Sequence, residues 1–356
     1  MNNQADIRIS IIVACRNEIR HIGALVESLL GQDFNGMNWE AVIADGMSTD
    51  GTRESLDHYA ARHPNLRAIS NPGRIVSTGL NAAIRAARGE FILRMDAHTV
   101  YAPNYCKRCV DTLSGTGADN VGGAARTRVT GVIPRAIAAA YHSRFSTGGA
   151  RFHDPDYEGP ADTVPYGCWR KETFARIGMF DENLVRNQDD ELNLRLLRSG
   201  GRIWQSRTIL SWYTLRATFA GLFNQYFQYG FWKVAVIRKH RIPGSVRHLI
   251  PAGFALANIF LLLGILITAV FQAKLGLAVA ATMWLGMAAA YGISGFVASA
   301  VAARQHGGWK SVPFIQVAFA TYHFSYGLGF LSGLFWFGSK PANKLSTDSV
   351  FARITR

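Results

Sequence analysis

The chain is short of cysteine, of acidic residues relative to basic ones, and of any apolar run near its start. Four cysteines, Cys15, Cys106, Cys109 and Cys168, in 356 residues exclude a disulfide framework. Cys106 and Cys109 make a lone C-x-x-C with no second pair and no nearby histidines, so helical spacing explains them better than zinc or redox chemistry. Twenty-four acids against 38 bases leave a formal charge of +14. Such an excess suits nucleic acid, anionic lipid or a phosphorylated substrate. No zinc-finger, helix-turn-helix or aromatic single-strand signature accompanies the charge, which sets nucleic acid aside. The opening "MNNQADIRIS" holds no apolar signal segment, an expectation that keeps the first domain in the cytoplasm. There is no low-complexity segment and no soluble repeat.

Long uncharged runs are missing before Leu249 and plentiful after it. Three follow, roughly Leu249 to Phe271, Leu277 to Val301 and Pro313 to Phe337, each near or above the ~20 residues that cross a bilayer. Small-residue stretches such as "AAAYGISGFVASA" suit close helix packing in lipid. Just ahead of them, "WKVAVIRKHRIPGSVRH" carries Lys233, Arg238, Lys239, Arg241 and Arg247, a composition for anionic headgroups on the cytoplasmic face. The expected organisation is a soluble domain over 1–215, amphipathic basic interfacial helices over 216–248, about three spans over 249–338 and a basic tail over 339–356. An odd number of crossings places Lys340, Lys344, Arg353 and Arg356 outside, against the positive-inside tendency, unless one run is re-entrant or interfacial.

Within the first domain, apolar strand patterns alternate with helical ones. "ISIIVACRNE" is β-branched and strand-like, and Ile19, Ile22, Leu25, Val26 and Leu29 then recur at helical spacing. "WEAVIADG" leads into "MSTDGTRESLDHYAARH", a helix capped by Asp50 or a nearby hydroxyl. "STGLNAAIRAARG" is a helix, "EFILRMDAH" a strand, "VPYGCWRKETFARIGMFDENL" a loop entering a helix, and "NQDDELNLRLLRSGG" a helix with an acidic first turn and a Gly-Gly stop. The alternation predicts an α/β fold with a mostly parallel, Rossmann-like sheet, and such sheets bind ligands at the carboxyl ends of their strands. Asp45 and Asp96 fall at such ends.

Five segments in order, "IIVACRNE", "ADGMSTDGT", "GLNAAIRAARGEFILRMDAH", "GCWRKETFARIGMFDE" and "NQDDELNLRL", resemble glycosyltransferase family 2 with its GT-A fold over about the first 230 residues. "DAH", "STGGARF", "NQD" and "QYFQYG" are most similar to its succinoglycan-type exopolysaccharide glucosyltransferase branch. The resemblance implies a UDP-sugar donor, with Asp45 as nucleoside anchor, Arg74 near the uracil, and the backbone of Cys15, Asn17 and Glu18 beside the nucleotide. On its own, Arg74 is equally a solvated surface cation, and the "DGMSTDG" turn makes Asp50 the Asx residue.

The family's metal motif is Asp-x-Asp, whose first Asp lies close to the ribose and the metal; here that place is Asp96, and His98 stands in the last place. Imidazole binds Mn²⁺ more readily than Mg²⁺, so a divalent cation held by Asp96 and His98 is expected to be manganese; the alternative is a histidine donating directly to phosphate. The resemblance assigns the general base to Asp189, where the family usually has Glu-Asp and this chain has Gln188-Asp189. The alternative is that Asp189, Asp190 and Glu191 complement a helix dipole. Gly167, Cys168 and Trp169 match the acceptor-side segment, with the indole on a sugar face or in the core. Gln225 belongs to "QYFQY", which matches Q-x-x-R-W except that Gln228 and Tyr229 replace Arg and Trp. Arg151, in "STGGARF", closes over the diphosphate or lies in a surface turn.

The expectation is an inverting hexosyltransferase of the inner membrane, multi-pass, with its catalytic domain in the cytoplasm. Its partners are a UDP-sugar, a polyprenyl-diphosphate-linked saccharide and anionic lipids, and its oligomeric state stays open. The rivals are a processive polysaccharide synthase, a polyprenyl-phosphate sugar synthase, and a membrane scaffold or transporter. The uncharged interior of the apolar runs argues against ion transport.

Overall fold

The computed structural model describes residues 6–306 and 308–338, so the basic tail expected over 339–356 lies outside the described residues. The described chain divides into two compact units, one running to Arg128 and again over Arg151–Thr214, the other taking Val129–Ala150 and the described residues from Leu215 to Gly338.

The first unit opens with β1 (Ile9–Cys15), α1 (Ile19–Leu30), β2 (Trp39–Asp45), α2 (Thr52–Arg62), β3 (Leu66–Ser70), α3 (Val76–Ala86) and β4 (Phe91–Arg94). It continues through β5 (Thr99–Tyr101), α4 (Tyr105–Thr116), β6 (Asn120–Gly122) and β7 (Arg126–Thr127). After α5 (Val132–Tyr141) and α6 (Arg144–Thr147), which belong to the second unit, come β8 (Gly159–Pro160), β9 (Cys168–Arg170), α7 (Lys171–Ile177), α8 (Gln188–Arg198), β10 (Ile203–Gln205) and β11 (Ser211–Tyr213). The main sheet has the order β3-β2-β1-β4-β9-β6-β10-β8, and a small second sheet the order β5-β11-β7. Strands β3, β2, β1 and β4 are mutually parallel, and β9 is antiparallel to both its neighbours.

This sheet follows from composition. β1 is buried on both faces, as a central parallel strand must be, so its sequence is apolar but for Ser10 rather than an alternation. α1 buries Ile22, Leu25, Val26 and Leu29, one helical stripe, whereas Ile19 at its first position is exposed. The segment expected as a loop around Cys168 is instead strand β9. Three residues are too few to show a period, and only pairing with β4 and β6 makes them a strand. The chain order reverses at β1, which has β2 on one side and β4 on the other. That reversal opens a crevice at the carboxyl ends of these strands.

The second unit adds α9 (Phe219–His240), α10 (Ile250–Val270), α11 (Lys274–His306) and α12 (Val312–Gly338) to α5 and α6. Among the described residues two stretches are long and apolar enough to cross a membrane, Val246–Val270 and Lys274–Gln305. Ile250, Phe260, Leu266, Met283, Leu285 and Ile293 on them are exposed, a surface that water does not favour. The third expected run is helical as α12, but Gln316, His323 and Ser325 interrupt its apolar character and it falls outside that pair.

Close packing reaches the "AAAYGISGFVASA" stretch at buried Gly295, where a side chain would meet Gln316 and Phe145 at 3.8 Å, while Gly292 has open space beside it, and is tightest elsewhere. It joins α9 to α12: a side chain on Gly230 would overlap the Tyr326 carbonyl, and one on Gly329 the Phe227 carbonyl. Lys233, expected at lipid headgroups, is buried within this unit, and Arg238 donates to the Phe337 carbonyl near the end of α12. Lys239 and Arg241 are exposed.

Candidate active site

Two loops at the crevice are tied to each other before any ligand is considered. Cys15 and Asp45 are register partners at the ends of β1 and β2, and Gly46 N donates to the Cys15 carbonyl at 2.8 Å. Asn17 N donates to Ser48 Oγ at 2.8 Å, Thr49 N to Asn17 Oδ1 at 2.9 Å, and Glu18 N to Thr52 Oγ1 at 2.8 Å. Asp50 accepts from Ile19 N at 3.2 Å and Thr52 N at 3.1 Å, so one carboxylate starts both α1 and α2 and acts as the expected turn residue. Burial pushes the Cys15 thiol up to about 12, helped by the Asp45 carboxylate, so this cysteine stays a neutral thiol.

Asp45 is 2% exposed and accepts from Ser48 N and, at 2.5 Å, from Ser48 Oγ. Its main-chain carbonyl takes Asn71 N at 2.7 Å, which anchors the loop leading to Arg74. Arg74, whose N donates to the Asn71 carbonyl at 3.0 Å, sits at φ 60° and is exposed.

Past the end of β4 the chain turns sharply. Asp96 N donates to the Tyr101 hydroxyl at 2.7 Å, and Tyr101 packs edge-on against Tyr105 and Tyr166. His98 is 40% exposed, its ring 6.2 Å from Tyr213 and 6.3 Å from His21. Its Nδ1 lies 3.7 Å from Glu18 Oε1, within ion-pair range though longer than a hydrogen bond. Among the described residues no three His, Cys, Asp or Glu side chains gather as a metal cage. Asp96 and His98 remain a carboxylate and an imidazole two residues apart, a donor set whose chemistry suits a divalent cation.

Asp189, in the first turn of α8, is joined to this cluster by Arg94. Arg94 Nη1 donates to Asp189 Oδ1, while Nε and Nη2 reach the two oxygens of Asp96 at 3.2 and 3.3 Å. Burial pushes the Asp189 carboxyl above the usual aspartate range, opposed by the Arg94 guanidinium. Its side chain is nevertheless 38% exposed. Both hold for a group recessed among protein atoms with one edge open, which is how a base that must meet a substrate should sit. Glu191 is different: fully buried, it pairs with Arg195 at 2.8 Å, and Arg195 also donates to the Met179 carbonyl. That pair ties α8 to the preceding loop.

Sequence reasoning missed Arg94. The signal was a charged residue inside "FILRM", an otherwise apolar strand, since a fully buried arginine is rare unless paired.

Cys168 is buried and Trp169 is 2% exposed, packed against Phe174 and Phe180, so the indole is a core group and has no face to offer a sugar. Gly167, at φ 102°, leaves room for the Trp169 ring, and its carbonyl accepts from Arg94 N at 3.0 Å. Arg151 donates to the Tyr157 hydroxyl at 2.5 Å and the Pro160 carbonyl at 2.6 Å, the surface-turn reading rather than the loop closing over diphosphate. Gln225 lies on α9 in the second unit and donates to the Tyr229 hydroxyl at 2.9 Å.

The comparisons with known proteins bear on this arrangement. The family model described as "Glycosyl transferase family 2" matches residues 10–167, from β1 to the residue before β9. The chain is 36% identical to the succinoglycan biosynthesis protein ExoA of Rhizobium meliloti (strain 1021) over 69% of this chain and 74% of that protein. It is 28% identical to a dolichyl N-acetyl-alpha-D-glucosaminyl phosphate 3-beta-D-2,3-diacetamido-2,3-dideoxy-beta-D-glucuronosyltransferase of Methanococcus voltae, over 73% of this chain and 81% of that one. In fold it is similar to the mannosyltransferase PcManGT of Pyrobaculum calidifontis, solved with GDP-Man and Mn²⁺, at a TM-score of 0.56 and 18% identity over 90% of this chain and 86% of that one. A GT-A sheet carrying Asp45 and Asp96 at its strand ends, together with a relative this similar over most of both chains, makes this chain a member of glycosyltransferase family 2.

Proposed function

We propose that this protein is an inverting, membrane-bound glycosyltransferase that moves a hexose, glucose or a close relative, from a UDP-sugar to a polyprenyl-diphosphate-linked saccharide in exopolysaccharide or cell-surface glycan assembly. The observation that carries the reading is the recessed yet open Asp189, held by Arg94 to the strand end that bears Asp96. Asp45 takes the nucleoside, with Arg74 beside it. Asp189 accepts the acceptor hydroxyl's proton as that oxygen bonds to the anomeric carbon and the bond to the departing diphosphate breaks. One displacement at one face inverts the configuration.

The diphosphate leaves with its charge neutralised by a divalent cation, and Asp96 and His98 are the residues that would hold it, Mn²⁺ in preference to Mg²⁺. Glu18, 3.7 Å from His98 Nδ1, is the carboxylate nearest to take the orienting part that carboxylates commonly play for ligating imidazoles.

Two crossings, α10 and α11, suit an anchor in the inner membrane better than three. They return the chain to the side it left, leaving Lys239 and Arg241 before the pair, Arg304 at its last turn and Lys310 after it on the cytoplasmic face with the catalytic unit. Lys239 and Arg241 then face anionic headgroups. The Methanococcus voltae relative, whose name specifies a dolichyl phosphate-linked acceptor, supports a lipid-linked acceptor here.

The test is a screen of UDP-sugars against membrane lipid extract, followed by mass analysis with donor in excess. One added hexose per lipid-linked acceptor is expected. A ladder of many units on one acceptor would turn the assignment to a processive synthase, and transfer to a bare polyprenyl phosphate to a polyprenyl-phosphate sugar synthase.

A further inference from the structure

Arg94 is the last residue of β4 and 5% exposed, a cation that folding has removed from water. Along this strand Phe91, Leu93 and Met95 face one core and Ile92 faces the other, where Leu192 of α8 also packs. Strand alternation therefore delivers Arg94 to the α8 side, 95 positions earlier in the chain than its partner Asp189. The backbone is held on both sides of it: Arg94 N donates to the Gly167 carbonyl at 3.0 Å, and Asp96 N to the Tyr101 hydroxyl at 2.7 Å.

A guanidinium divides its donors as an ammonium cannot. Nε and Nη2 form one edge and address the two oxygens of Asp96; Nη1 addresses Oδ1 of Asp189. From the geometry we infer that Arg94 is a positioning residue of the transfer reaction, a planar bridge that fixes the Asp189 carboxylate relative to Asp96 and leaves Oδ2 of Asp189 to take the acceptor proton. The inference rests on Asp189 being the base.

Three charges in one recess explain why the bridge is needed. Without the cation, two neighbouring carboxylates lose the charge that bridges them, and Asp189 loses its anchor to the sheet. Displacement of a reacting group by about 1 Å costs on the order of 100-fold in rate. Lysine at position 94 keeps the charge but offers a point donor in place of a fork, so it can hold one carboxylate well and not both. The functional consequence falls on the chemical step. The nucleoside, held by Asp45 at the end of another strand, is not held by this bridge.

The experiment compares Arg94→Lys and Arg94→Met in the unaltered protein and in Asp189→Asn, measuring single-turnover transfer with enzyme in excess, together with calorimetric UDP binding. In the unaltered background kcat is expected to fall about 10-fold for lysine and about 100-fold or more for methionine, with UDP affinity and donor KM held within about 3-fold. In the Asp189→Asn background the same substitutions are expected to cost less than about 3-fold, because a residue acting through Asp189 has nothing left to position. Equal losses in both backgrounds would overturn the inference, as would a raised donor KM with kcat intact. Loss of UDP binding in both variants would make Arg94 a structural residue and overturn it too. If the unaltered protein transfers no sugar from any nucleotide donor, the functional reading itself falls; losses that multiply in an active enzyme reject Arg94's role alone.

Discussion

Replacing Asp189 with asparagine removes the proposed proton acceptor and leaves nearly everything else in place. The substituted side chain keeps an amide oxygen where Oδ1 receives Arg94 Nη1, and Arg94 retains Asp96 at 3.2 Å, so the buried cation is not orphaned. The expected fall in stability is the difference between a charged and a neutral acceptor, about 1–2 kcal/mol, well short of the ~3–5 kcal/mol for stripping a buried charge of its partner. Catalysis should suffer more. General-base assistance is typically worth about 10²–10⁴ in rate, which is roughly 2.7–5.5 kcal/mol of transition-state stabilisation. The assay is UDP release coupled to lipid-linked product, read beside calorimetric UDP binding on the same preparation. The expected outcome is UDP affinity within about 2-fold of the parent and kcat lower by at least about 100-fold. Turnover within a few-fold of the parent would refute the reasoning and move the base to Asp190, since Glu191 is fully buried against Arg195.

Because burial raises the Asp189 carboxyl, kcat/KM should fall on acidification through a value above the ~3.9 of free aspartate, and an acidic limb at or below that value would contradict it. The same shift has the opposite sign for folding: its contribution to stability is present below the unfolded value and lost as pH rises through the folded one. Trp169→Ala should cost about 3–5 kcal/mol, seen as a lowered melting temperature, with acceptor KM unchanged in the folded fraction; a stable variant with a weakened acceptor would return the indole to a sugar face. Activity should depend on a divalent cation with Mn²⁺ preferred, and His98→Ala should weaken metal-dependent UDP binding; full activity in excess chelator would show that the imidazole acts without metal. Asp45→Ala should reduce UDP affinity at least about 10-fold, the scale of a charge-assisted hydrogen bond, and tighter binding of GDP than UDP to the parent would reject the uridine assignment.

The sequence by itself determined the features that depend on neighbours along the chain. β1 is apolar but for Ser10 because both its faces are covered, α1 shows a helical stripe because one face is, and α10 and α11 are long and apolar enough to cross a membrane. Asp45 and Asp96 were legible for the same reason, each being the abrupt polar end of an apolar strand. Tertiary structure decided what depends on residues far apart. β9 is a strand only because β4 and β6 flank it, and that placement turns Trp169 inward. The segment Val129–Ala150 interrupts the first unit and packs with the second, which no local pattern announces. Glu18 meets His98 from far along the chain, and Arg94 meets Asp189 at a separation of 95 positions. Local periodicity reports which face of an element is buried; which charge a buried arginine must find is settled only when the sheet and α8 have packed, because the cost of leaving it unpaired is a property of the assembled core.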